Sequence, residues 1–309
     1  MPGMTLRDIV KGGLEAGIMA TGVPARRIRR RASGTVILSY HNVVPTGEQA
    51  VGDLSLHIGQ RRFGEHLDRL LETHDVVPLA ELRIGEVPVG RPRAVVTFDD
   101  AYRGTITAGF DELNRRGLPG TVFVPPGCLG SDGFWWDRIA SPHEGLGSEV
   151  RSHALESLGG KGDQILAWAV SEGMSLAELP DHARPATRDE LLDAARSGRF
   201  ELGSHTWSHV NLAGVSPSEA AEEISRGHAW LDDVDAAIPC VDWLAYPYGL
   251  YSAEVAAAAA QQVGHAVRVD GGAAEVEGIW TADSHRLPRI NVPAGLSPHG
   301  LVLRLAGMR

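Results

Sequence analysis

Ala94-Val95-Val96-Thr97-Phe98 runs directly into two adjacent carboxylates, Asp99 and Asp100. A short, uncharged, largely apolar run of this kind reads as a strand buried on both faces, the habit of parallel sheets. Working outward, comparable runs recur at 35–41, 75–79, 121–125, 200–204, 243–247, 266–269 and 286–292. Stretches of helical period separate them at 63–73, 108–116, 217–231 and 252–263. Strands alternating with helices predict parallel β/α units, and about seven of them favour an α/β fold closed as a barrel over an open sheet. The alternation breaks between Pro126 and Phe200, a connection too long for an ordinary βα loop. Helical patterns at 148–158, 164–172 and 187–197, the last opening on Thr187 and Glu190 as a capping box, predict a helical insertion over one end of the barrel.

The 309 residues carry a net charge of −10, which argues against nucleic acid as an electrostatic partner. Cys128 and Cys240 stand in no metal-ligand spacing and read as ordinary buried small residues. No stretch approaches the length of a membrane span, and no secretory signal is recognised, so a cytoplasmic location is expected. Residues 1–34 form a separate basic segment, with seven basic residues against Asp8 and Glu15 in the first 31. Leu6, Ile9, Val10, Leu14 and Ile18 fall at helical spacing. That helix is expected to pack on the barrel, with weak peripheral association with an anionic membrane as the alternative. Residues 35–309 are expected to form one barrel, with its insertion at about 127–199.

Three segments at predicted strand ends carry the chemistry. In Thr97-Phe98-Asp99-Asp100, burying two charges is costly without partners. Neighbours in a regular strand point to opposite faces, but where a strand runs out into a loop both side chains can reach one site. The competing reading is that the pair caps the helix following at Thr105. In His205-Thr206-Trp207-Ser208-His209, two imidazoles four apart would share a face of a helical turn, a spacing that suits one metal ion. With 13 histidines in the chain that spacing alone is weak, and its weight comes from following a strand, where barrel sites gather. With one carboxylate the pair makes a three-ligand site with open positions. Leu244-Ala245-Tyr246-Pro247-Tyr248-Gly249 reads as a rigid loop presenting a backbone N–H and flat apolar faces. Trp135, Trp136 and Trp207 offer planes for a sugar, Trp207 being the best placed and the other two expected to pack within the insertion.

In this order, TFDD, HTWSH and AYPYG resemble the polysaccharide deacetylase family (NodB homology, carbohydrate esterase family 4) over roughly residues 35–305. Tyr40-His41 on the first strand and the AYPYG motif resemble one subgroup, and Phe134-Trp135-Trp136-Asp137 and Arg286-Leu287-Pro288-Arg289 also resemble members. The resemblance implies a single distorted (β/α)7 barrel of NodB type. It implies a hydrolase of carbon–nitrogen bonds that removes N-acetyl, or O-acetyl, groups from sugars. It also implies one divalent metal, usually Zn2+, with Co2+, Ni2+ or Mn2+ as alternatives. Onto matching positions it carries Asp99 as catalytic base, Asp100, His205 and His209 as metal ligands, and the Tyr248 backbone N–H as oxyanion donor. A divalent ion activates water and polarises the acetyl carbonyl, and a free carboxylate beside it takes the proton.

The chain departs from the family at three points. Ala245 stands where members carry a base-orienting Arg, so Arg289, or else Arg103, is expected to supply that charge. Ala101 replaces the usual glycine after the aspartates. The late Leu-x-His segment that supplies the general acid is not found, leaving His285 or His41 as candidates. A weak acid matters less for ester than for amine leaving groups, which keeps O-deacetylation open beside a barrel that binds carbohydrate without turnover.

Overall fold

The computed structural model describes residues 6–30, 34–82, 90–141, 145–197, 199–270 and 283–308. Seven strands, β1 (Thr35–Tyr40), β2 (Arg93–Asp99), β3 (Gly120–Val124), β4 (Phe200–Ser204), β5 (Cys240–Ala245), β6 (His265–Asp270) and β7 (Leu287–Asn291), each pair in parallel with the next. β7 returns to β1 and closes the ring, giving the distorted (β/α)7 barrel. The run at 75–79 forms no barrel strand: only Asp75–Val76 pairs beside the start of β2, and past Pro78, which has no N–H to give, the chain turns into a short helix, Leu79–Glu81.

Strand alternation sorts the core into two layers. Ile37, Val95, Phe123, Trp243, Ala245, Val267 and Leu287 fill the barrel interior. Val36, Leu38, Val96, Phe98, Val122, Phe200 and Leu202 belong to the outer layer, with Phe63, Leu67 and Leu70 of the helix Gln60–Thr73. The same parity turns Ser39, Thr97, Asp99, His205 and Arg289 inward. A polar cluster at the barrel mouth is therefore set by counting from apolar residues below it.

The helices Leu6–Ala20 and Val23–Arg30 lie beside the barrel. Ile28 is buried in the outer core layer, and Glu15 accepts a hydrogen bond from Ser297 at the start of the helix Pro298–Leu305. Val10 and Leu14, expected on the packed stripe, are instead 64% and 65% exposed. The side chains of Leu6 and Ile9, and Arg31, lie outside the described residues. Both cysteines are free thiols, and Cys240 is exposed rather than buried because it starts β5 on an outward, uncovered position. Among the described residues no helix is long and apolar enough to cross a membrane.

His66 and His74 are buried in the helical layer, and burial pulls both imidazoles down to about 4. The unfolded value lies near 6.5, so between these limits the unfolded chain binds more protons. Their contribution to stability is whole above about pH 6.5 and is lost as pH falls toward 4. The melting temperature is expected to drop across that window, and a flatter profile is expected for His66→Gln in the same thermal titration.

Candidate metal centre

Asp99 is the last residue of β2 and points inward. Asp100 and Ala101 then adopt left-handed conformations, with φ of 74° and 54°. The reversal cancels strand alternation and brings the second carboxylate to the same mouth as the first. Neither aspartate caps the helical turn Thr105–Gly109, whose N-cap is Gly104 without a side-chain bond. Glycine takes the conformation of residue 101 freely, whereas the Cβ of Ala101 costs about 1–2 kcal/mol there.

His205 directly follows β4, but the chain from His205 to His209 is not the helical turn its spacing suggested. Thr206 and His209 are left-handed, with φ of 63° and 58°. Glu223, buried on the helix Pro217–Asp232, takes the N–H groups of Trp207 and Ser208 at 3.1 and 2.8 Å and the Ser208 hydroxyl at 2.7 Å. With those amides bound to a carboxylate rather than to carbonyls of a preceding turn, a loop forms in place of a helix. Gly227 lets that loop sit close, since a Cβ there would lie 2.5 Å from the Thr206 carbonyl. Tyr248 is also left-handed, and among the described residues the non-glycine positions with positive φ all fall on these three loops. Strain of this kind persists where the surroundings over-determine it.

Asp100, His205 and His209 are buried, with ligand atoms all within 4.8 Å of one another. Asp100 Oδ1 lies 3.1 Å from His209 Nε2 and 3.5 Å from His205 Nε2, yet it makes no hydrogen bond. His205 Nδ1–H donates to the Ala245 carbonyl at 2.7 Å, so a neutral His205 turns the Nε2 lone pair toward the carboxylate. A lone pair facing an anion in a buried site calls for a cation between them. Two imidazoles, one carboxylate and an adjoining cavity fit a divalent ion with open positions.

Asp99 is held differently. Arg289 Nη1 and Nη2 donate to its two oxygens at 2.7 Å each, and Nη1 also reaches Thr97 Oγ1 at 3.1 Å. Burial pushes the Asp99 carboxyl up, but the Arg289 charge outweighs it and holds the group below its usual range. Arg289 is fully buried, with its guanidinium 5.2 Å from the ring centre of Phe123. That ring has room because residue 203 is glycine: a Cβ there would meet it at 2.8 Å. His41 Nε2 lies 3.9 Å from Asp99 Oδ2.

His41, Asp99, Asp100, His205 and His209 line a cavity of about 360 Å³, with Trp136, Arg151 and Tyr248 at its walls. His285 is not brought there. It precedes β7 and so sits at the opposite end of that strand from the mouth, its ring between Ser284 Oγ and the Val263 carbonyl, each at 3.0 Å. Arg103 pairs with Glu190 and Asp181, away from Asp99. Trp207 lies outside the cavity with the Arg226 guanidinium 4.3 Å above its ring. Trp135 and Trp136 are buried in the insertion cluster. Glu223 was not found from sequence, because an acid on an amphipathic helix carries no local sign of the distant amides it binds.

A family model described as polysaccharide deacetylase matches residues 86–267, more than half of the chain. Among curated proteins compared by sequence, none matches. Among solved structures, the Streptococcus pyogenes deacetylase PplD is 18% identical with a TM-score of 0.57, covering 88% of this chain and 98% of that one. IcaB from Ammonifex degensii is 20% identical with a TM-score of 0.58, covering 89% and 97%. A de-N-acetylase from Aggregatibacter actinomycetemcomitans is 16% identical with a TM-score of 0.53, covering 84% and 95%. At these identities the structural likeness speaks to the fold.

Removing the brace should loosen the ligand loop without touching a ligand. Glu223→Ala is expected to weaken divalent-metal affinity by about 10- to 100-fold in a chelator competition. Affinity equal to the parent chain would deny Glu223 that part.

Proposed function

The chain belongs to the polysaccharide deacetylase family, and from that premise we propose that it is a metal-dependent hydrolase releasing acetate from an N-acetylated amino sugar. The observation that carries this reading is the buried Asp100–His205–His209 cluster, with unbonded Asp100 Oδ1, beside an ionised Asp99 paired with Arg289. Asp100, His205 and His209 would hold one divalent cation, Zn2+ for preference given the mixed nitrogen and oxygen donors, with Co2+, Ni2+ or Mn2+ as substitutes. When bound, that ion supplies Lewis acidity toward water and the acetyl carbonyl.

The remaining work falls to the chain. Asp99, ionised and aimed by Arg289, takes a proton from the attacking water as its oxygen bonds to the acetyl carbon. The Tyr248 backbone N–H donates to the oxyanion. The C–N bond then breaks, acetate leaves, and the amine departs with a proton. His41, lining the cavity near Asp99, is the proposed donor of that proton in place of His285. Family members with the same first-strand Tyr-His and AYPYG motifs form the subgroup to which we assign the chain. A cavity of about 360 Å³ lies at the small end for ligand sites and suits a single acetylated sugar unit. Exposed Val10 and Leu14, with the exposed arginines of Val23–Arg30, support peripheral contact with an anionic membrane at a cytoplasmic face.

Asp99→Asn should keep its metal and lose about 10²- to 10⁴-fold in acetate release from a panel of N- and O-acetylated sugars. A fully active variant would refute the base, and release from esters alone would assign the enzyme to O-deacetylation. Chelation should abolish release and added Zn2+ restore it; activity indifferent to chelation would remove the metal from the reading.

A further inference from the structure

The two imidazoles of the site are supported in different ways. His205 donates through Nδ1 to the Ala245 carbonyl, whereas His209 Nδ1 is buried with no hydrogen-bond partner. A ligating histidine ordinarily fixes its ring by bonding through the second nitrogen. His209 has rings around it instead: Tyr248 at 4.6 Å and edge-on, and Trp136 at 4.9 Å. Both rings are themselves tethered by consecutive indoles. Trp135 Nε1 donates to the Tyr248 hydroxyl at 2.9 Å, and Trp136 Nε1 donates to the Tyr102 hydroxyl at 2.9 Å.

The second tether leads to an unusual anchor. Tyr102 donates to Asp137 Oδ2 at 2.6 Å. Asp137 Oδ1 accepts from His57 Nε2 and from the Asp53 backbone N–H, each at 2.9 Å. Tyr102 and Asp137 have no exposed surface. Gly52, left-handed and without room for a side chain against Asp137, lets the Asp53 loop close over it. The helix carrying both tryptophans, Trp135–Arg138, is a single turn that cannot fix an indole by itself. A carboxylate buried this deeply is costly, and three donors converge on it where the visible result is the orientation of one ring.

We propose that the Asp137–Tyr102–Trp136 chain, anchored by His57, is the positioning support of His209, doing through ring packing what a hydrogen bond from Nδ1 would otherwise do. The proposal rests on the reading of Asp100, His205 and His209 as a metal centre. It makes Tyr102 and Asp137 positioning residues that contact neither metal nor substrate, and it gives the insertion a part in assembling the site.

The test is zinc affinity of the full chain, read by competition with a chromophoric chelator beside the melting temperature of the metal-free protein. Tyr102→Phe keeps the ring and removes one oxygen. It is expected to weaken zinc binding by about 10- to 100-fold. Thr121→Val is the control, since it removes a comparable 2.9 Å bond to the buried Glu201 carboxylate at the other end of the barrel. It should lower the melting temperature and leave zinc affinity unchanged. If both variants lose stability alike and both bind zinc as the parent does, the network is only structural and the proposal is overturned. Should Tyr102→Phe fail to fold, Trp136→Phe, which keeps a ring but lacks the N–H, takes the same test with the same two outcomes. A parent chain that takes up no zinc or other divalent ion would overturn the metal-centre reading itself, and this proposal with it.

Discussion

Two neighbouring carboxylates buried at one barrel mouth set the terms for everything around them. Desolvating an ion costs several kcal/mol unless an opposite charge with good geometry repays it. Arg289 repays it for Asp99 through a two-pronged bond across the barrel interior. Asp100 faces two imidazole edges with no hydrogen bond on Oδ1, an arrangement that a cation held between the three groups would complete. The asymmetry separates two chemically identical side chains into one that an arginine pairs and one that stays open to a cation. A single internal guanidinium makes that division.

The backbone supports it at some expense. Asp100, Ala101, Thr206, His209 and Tyr248 all adopt the left-handed conformation that side chains disfavour. Each sits just past a strand end, where the chain must fold back over the mouth instead of continuing outward. Among the described residues, the left-handed side-chain positions are confined to the rim that holds the polar groups.

The barrel was legible because its signal is local and repeated. Apolar runs bounded by helical period needed no long-range information, although strands apolar on both faces did not say which parity turns Asp99, His205 and Arg289 inward. The site was legible at strand ends, where Asp99-Asp100 and His205…His209 concentrate chemistry within a few residues. Reading the histidine spacing as a helical turn failed, because period 3.6 describes a helix and says nothing of a loop held by Glu223 from another element. His285 was attractive by its position in the chain and wrong by its end of the strand, a distinction that needs the strand's exact start. Asp137 and Tyr102 were invisible as a pair, since a buried polar network is defined by partners 35 residues apart that share no spacing rule.

Gly203 ties one strand's lack of a side chain to a charge on another. Its bare Cα leaves space for the Phe123 ring, the ring lies under the Arg289 guanidinium, and the guanidinium grips Asp99. A methyl group at residue 203 would reach the carboxylate only as a push relayed through an aromatic ring and an arginine. The proton affinity at the barrel mouth thus depends partly on an absence: a position with no functional group of its own bears on acid–base chemistry two side chains away.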